Sequence, residues 1–271
     1  MYFLTRLKLR NLENTIIRGF YNKTLHIWYG YRDISAMPVK KIKMDVKMMG
    51  MNMDKKKLGM EFFGVMVIVM VAHSGDQHPM LTGLTAGLMY TMAMGISGGH
   101  LNPAITIGLM ATKKMDAQEG GQYIAAQILG AVAAFLMADI VLGESIANAA
   151  ETGGAIELWQ DMAAMTFAGF ILMIVWITTL DDNKTGFAMG GFAVGMIYWM
   201  LESSGFTAWN PGAHLAQGIW TSIMATELTI DLATFWMFWI FPTVGILLGI
   251  VLWEWFEAEE ETKTDVVEAD E

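Results

Sequence analysis

Ser97-Gly98-Gly99-His100-Leu101-Asn102-Pro103-Ala104-Ile105-Thr106 breaks a strongly apolar chain with the chemistry of a helix start. Asn is a strong N-cap, Pro is favoured at the first helical position where no backbone donor is needed, and a small residue there permits close approach. Phe206-Thr207-Ala208-Trp209-Asn210-Pro211-Gly212-Ala213-His214 repeats the pattern 108 positions later. About ten weakly polar or apolar residues follow each start, closing with Lys113-Lys114 in the first case. At 1.5 Å per residue this makes roughly 15 Å, half of a ~30 Å hydrocarbon core. Both segments therefore read as half-helices. An isolated Asn-Pro pair is usually only a turn; two in equivalent places are a pattern.

The surroundings are those of a membrane protein. The 271 residues are 54% hydrophobic and only 16% charged, more apolar than a soluble domain of this length. Six candidate spans run over 58–72, 79–96, 122–142, 162–180, 185–203 and 234–253, most of them near the ~20 residues needed to cross a bilayer. Thirteen of the 17 Lys and Arg residues precede Leu58, and the rest are Lys113, Lys114, Lys184 and Lys263. With a cytoplasmic N-terminus and six alternating spans, every one of them falls on the cytoplasmic side, as the positive-inside rule asks. The absence of cysteine excludes disulfides, thiolate metal sites and thiol nucleophiles.

This topology brings the two half-helices in from opposite faces, with their positive ends meeting near the midplane. Irregular backbone at that depth is tolerated only when packed in protein or lining a wet cavity, so an aqueous path between the halves follows. Two opposed dipole ends of about half a charge each, at ~5 Å and an effective dielectric near 20, repel a cation by about 3 kcal/mol. Neutral water meets no such barrier. The Asn102 and Asn210 amides are suited to donate to its oxygen and interrupt proton hopping.

With these residues in view, the chain resembles the major intrinsic protein family, the aquaporins and glycerol facilitators, over about 58–253. The most specific piece is Ser97 to Ala104; supporting pieces are Glu61-Phe62-Phe63-Gly64, Gly83-Leu84-Thr85, Tyr123, Ala126-Gln127 and Gly130-Ala131. The resemblance implies an all-α membrane protein, a right-handed bundle of six transmembrane helices plus two re-entrant half-helices in an inverted repeat. It also implies a homotetramer with one pore per subunit. Asn102, Pro103, Ala104, Asn210, Pro211 and Gly212 would form the pore midplane. Carried over by spacing, the outer filter would be Thr82, Tyr198, Thr207 and Ala213. Ala213 stands where the family usually has Arg, so this set is uncharged and less polar than a strict water channel's. Gly212, in place of Ala, would widen the midpoint slightly. His214 replaces the acidic residue of glycerol facilitators, and Met165 stands near the place of a Glu expected at the start of the fourth span.

Three domains are expected: a basic cytoplasmic extension over 1–57, the channel over 58–253 and an acidic, disordered cytoplasmic tail over 254–271. The basic extension reads either as a segment lying on an anionic leaflet or as an untidy start, since several Met residues precede the first span. Its charges leave no apolar core for a cleaved signal peptide. Glu61 is expected to brace loop backbone, His100 to hold its own loop, and His214 to pack in preference to a pH-sensitive role. Glycines spaced by four, Gly83 with Gly87, Gly191 with Gly195 and Gly245 with Gly249, fit close helix contact. An enzyme reading pairs Ser97 with His214 as an intramembrane serine protease, but three spans separate them. A non-conducting structural role is the other alternative. Passive conduction of water or another small neutral solute across a cell membrane is the expected function, with the lipid bilayer as partner and no cofactor, metal or nucleic acid.

Overall fold

The computed structural model describes residues 54–73, 78–142, 158–181, 186–203, 210–226, 228, 230 and 235–269. Most of the expected 1–57 extension, and Thr207, lie outside them. The described residues are helical, with no strand. Helix α1 (Lys55–Ala72) starts three residues before the expected span, because Asp54 accepts from the amides of Lys56 and Lys57 and caps it there. Helix α2 (Pro79–Ser97) opens on its proline and ends at Gly98 in the left-handed region. The short α3 (Pro103–Ala111) follows, then α4 (Ala117–Leu142). The second half repeats the order with α5 (Leu158–Trp176), continued by a π-helical turn over Ile177–Asp181, then α6 (Phe187–Ser203), α7 (Pro211–Ala225) and α8 (Met237–Ala269).

Among the described residues, four helices are long and apolar enough to cross a membrane: Pro79–Ser97, Ala117–Val141, Trp159–Thr179 and Met237–Glu259. The other two expected spans fall short for separate reasons. Lys55, Lys56, Lys57 and Glu61 load α1 with charge, and the described part of α6 is 17 residues long. Both carry large apolar side chains on their open faces, including Phe63, Phe192 and Met196.

Packing follows the inverted repeat. Helix α1 packs on α4 as α5 packs on α8, and each half-helix leans on the last helix of the other half, α3 on α8 and α7 on α4. The most intimate pair is α2 with α6. There the two glycine pairs face each other: a Cβ on Gly83 would come within 2.5 Å of the Gly195 carbonyl oxygen, and one on Gly87 within 2.6 Å of that of Gly191. Backbone meets backbone along this seam, which small residues alone permit.

Two expectations need correction. The half-helices differ in length: α3 has 9 residues, but α7 has 15. The acidic tail, expected to be disordered, is helical to Ala269. Glu and Ala are strong helix formers, so the end of α8 propagates outward, and Glu254 is held by Lys114 at 3.1 Å. The seam yields a prediction. Gly83→Ala overpacks backbone and is expected to destabilise by about 1–3 kcal/mol. Gly59→Ala, with nothing within 4 Å of the new Cβ, is expected to be neutral or to stabilise by up to ~1 kcal/mol. Thermal unfolding in detergent, followed by circular dichroism, measures both.

Candidate functional site: the half-helix junction

The segment entering α3 doubles back through left-handed backbone, with φ of +84° at Gly98, +60° at Gly99 and +45° at Leu101. Glycine adopts this region at no steric cost, whereas Leu101 must be held there. Glu61, fully buried, does much of the holding. One carboxyl oxygen accepts from Ser97 Oγ (2.6 Å) and the His100 amide (3.1 Å), the other from the Leu101 amide (2.8 Å) and Gln127 Nε2 (2.7 Å).

The carbonyls of the same turn are met by side chains from α2, α4 and α5 and by the cap residue of α7. Tyr123 donates to Ser97 O at 2.7 Å, Trp176 Nε1 to Gly99 O at 2.8 Å, Tyr90 to His100 O at 3.2 Å and Asn210 Nδ2 to Leu101 O at 3.3 Å. His100 bonds Thr106 Oγ1 through Nδ1 at 3.1 Å and lies against the rings of Tyr123 and Trp176.

Both asparagines cap as their residue type dictates. Asn102 Oδ1 accepts from the Ala104 amide at 2.8 Å; Asn210 Oδ1 accepts from the amides of Gly212 and Ala213 at 3.0 and 3.2 Å. Pro103 and Pro211 take the first helical positions. The two starts abut, since a Cβ on Gly212 would lie 3.0 Å from Pro103 Cγ. The missing methyl lets the halves approach and leaves no methyl-sized gap, so the expected widening at Gly212 is not seen. Asn210 Nδ2 reaches across to the other half, whereas Asn102 Nδ2 is buried without a hydrogen-bond partner among the described residues. A buried amide donor left unpaired costs free energy, which a passing acceptor would recover.

The expected filter residues are placed unevenly. Thr82 and Tyr198 are buried, Ala213 is half-buried in the first turn of α7, and Thr207 lies outside the described residues. The Thr82 hydroxyl meets the carboxyl of half-buried Glu202, one turn beyond Tyr198, too loosely for good hydrogen-bond geometry. An acidic group thus stands beside Thr82, although the four residues carried over by spacing are themselves uncharged. His214 stacks on Phe238, with ring centroids 3.5 Å apart and planes 19° apart. Ser97 and His214 are thus each engaged elsewhere, Ser97 with Glu61. Met165 is buried. Sequence reasoning missed Tyr90, Trp176 and Glu202. Only Tyr90 carried a signal, standing twelve before Asn102 as Tyr198 stands twelve before Asn210.

Comparison with known proteins matches this architecture. The model of the family described as major intrinsic protein matches residues 49–253. Aquaporin TIP4-1 of Zea mays is 30% identical over 188 residues, 63% of this chain and 69% of the relative. Aquaporin Z of Brucella melitensis is 29% identical over 181 residues, 64% of this chain and 78% of the relative. Among solved structures, the aquaglyceroporin from Plasmodium falciparum superposes with a TM-score of 0.60 at 23% identity, covering 72% of this chain and 93% of that one. At that identity the superposition speaks for the fold.

The brace gives a prediction. Glu61→Gln turns one acceptor into a donor facing donors and is expected to destabilise by about 1–3 kcal/mol. Glu61→Ala removes both acceptors, strips the His100 and Leu101 amides of theirs, and is expected to cost more. Detergent melting curves rank the two.

Proposed function

The chain belongs to the major intrinsic protein family, and from that premise we propose that it is a passive, bidirectional channel for water and other small uncharged solutes. The observation that carries this reading is the abutting pair of half-helix N-termini, with a buried amide donor, Asn102 Nδ2, left unpartnered beside them. A neutral molecule with a free lone pair recovers that donor's lost hydrogen bond; a cation meets two positive dipole ends instead. Transport needs no energy source here, only an osmotic or concentration gradient.

In this proposal Asn102 and Asn210, with Pro103, Ala104, Pro211 and Gly212, form the midplane. Thr82, Tyr198, Thr207 and Ala213 form the outer filter. Glu61 and His100 are structural supports. Ala213 favours one broader reading, that other small neutral solutes such as ammonia pass alongside water, because no guanidinium crosses the mouth. We place the protein in a cell membrane with both termini cytoplasmic, supported by the one-sided distribution of Lys and Arg, and as a homotetramer. Residues 1–57 are taken as a basic extension, 58–253 as the channel and 254–271 as an acidic cytoplasmic tail, helical in α8 as far as Ala269.

Stopped-flow light scattering on reconstituted vesicles tests the proposal. Water permeability is expected well above that of protein-free vesicles with no added proton leak; equal permeability would sink the reading. Guanidinium offers only donors, which suit the two lone pairs of water better than the one of ammonia. Ala213→Arg is therefore expected to lower ammonia permeation relative to water by about tenfold, read from internal pH after an ammonium gradient. An unchanged ratio would overturn this placement of the filter.

A further inference from the structure

Tyr90 holds in α2 the position that Tyr198 holds in α6. Each stands three residues after the second glycine of its seam pair, Gly87 or Gly195, and twelve before the capping asparagine of the following half-helix. Gly83 meets Gly195 while Gly87 meets Gly191, so the two helices cross antiparallel. Side chains on a helix lean toward its N-terminus. Leaning from opposite ends of an antiparallel pair, the two phenols point toward each other.

They meet. The hydroxyls lie 3.2 Å apart, with ring centroids at 5.8 Å and planes at 57°. Tyr90 donates its own proton to His100 O, which leaves the Tyr198 hydroxyl to donate to Tyr90. His100 precedes Asn102 by two residues, so the phenol pair is tied to the wall of the junction itself. Tyr90 and Asn102 have no exposed surface, and Tyr198 has 2%. Two buried rings and a hydrogen-bonded hydroxyl pair thus stand against the carbonyl two residues before that asparagine.

We propose that Tyr90 is a specificity-determining residue of this channel, forming with Tyr198 a two-phenol neck beside the Asn-Pro junction that passes water-sized molecules and turns back polyols. The inference rests on the channel reading and names the solute class it admits. A water crossing the neck exchanges hydrogen bonds with hydroxyls that both donate and accept. A three-carbon polyol needs width that two aromatic rings withhold. With Ala213 at the outer mouth, size selection moves inward to this neck.

Vesicles carrying the whole chain, with water and glycerol as probes, test the proposal. Wild type is expected to conduct water while its glycerol permeability stays near that of protein-free vesicles. Tyr90→Ala is expected to raise the glycerol-to-water permeability ratio about tenfold. Tyr90→Phe keeps the ring, loses both hydroxyl contacts and is expected to keep glycerol out. Two results overturn the neck: wild type that already passes glycerol freely, or Tyr90→Ala that incorporates normally yet leaves the glycerol-to-water ratio unchanged. Should Tyr90→Ala fail to incorporate, Tyr198→Ala opens the same neck and is judged by the same ratio. If wild type and both alanine variants conduct neither solute, the channel reading itself falls and the neck with it. If only the widened variants conduct, the phenol pair closes the path to water as well, and the claim that it passes water-sized molecules is overturned.

Discussion

A chain that turns back inside hydrocarbon has no water to satisfy the amides and carbonyls it uncovers, so each needs a protein partner at a fixed place. In this protein the largest single share of that work falls on the Glu61 carboxyl, which gathers two backbone amides and two side-chain donors. Much of the first half follows from it. Gly64, one turn on, has no Cβ, and one built there would press within 2.6 Å of Leu101 Cδ2; the loop lies against α1 because that space is free. Gln127 on α4 and Ser97 on α2 are drawn to the same carboxyl, so three helices converge on one group. Left-handed Leu101 is affordable only inside this net.

The carbonyls of the turn recruit the other half. Trp176 on α5 and Asn210 ahead of α7 each bond a carbonyl of the first loop, and α7 packs on α4 while α3 packs on α8. Neither half is complete alone, because the polar demands of one re-entrant loop are met by the other repeat. The exchange is unequal: Asn210 spends its amide on Leu101 O, but the Asn102 amide is left over. A symmetric design would have either closed both donors or freed both. Among the described residues the asymmetry leaves the Asn102 amide as an unpartnered donor at the junction, which suits a file of molecules that accept one bond at a time.

What could be read in the sequence was local. The two caps, the glycine spacing and the placement of a carboxyl in α1 are encoded by neighbours within a turn or two, and the structure displays each of them. What could not be read depended on contacts through space. His214 finds Phe238, and Trp176 finds a carbonyl 77 positions away, with no pattern near either residue to announce it. The acidic tail misled for another reason: charge density argued for disorder, while Glu and Ala propensity and a helix already running outward argued for continuation. Glu202 escaped because carrying over a filter by spacing counts positions on one line and ignores the residue a turn further along the same face. Tyr90 was the legible omission, since applying the repeat interval to the filter tyrosine leads directly to it.

The glycine seam joins these observations into one constraint. Tyr90 and Tyr198 touch only because α2 and α6 approach until backbone oxygen lies where a Cβ would be, at Gly83 against Gly195 and Gly87 against Gly191. Larger residues on the seam would separate the helices, and with them the phenols, by the width of a side chain. A hydroxyl contact at 3.2 Å does not survive such a shift, since hydrogen bonds weaken steeply with distance and angle. The packing that fixes the bundle therefore also fixes the spacing of the phenol pair. In this chain stability and pore width have the same physical origin, so a substitution that loosens the seam must alter both.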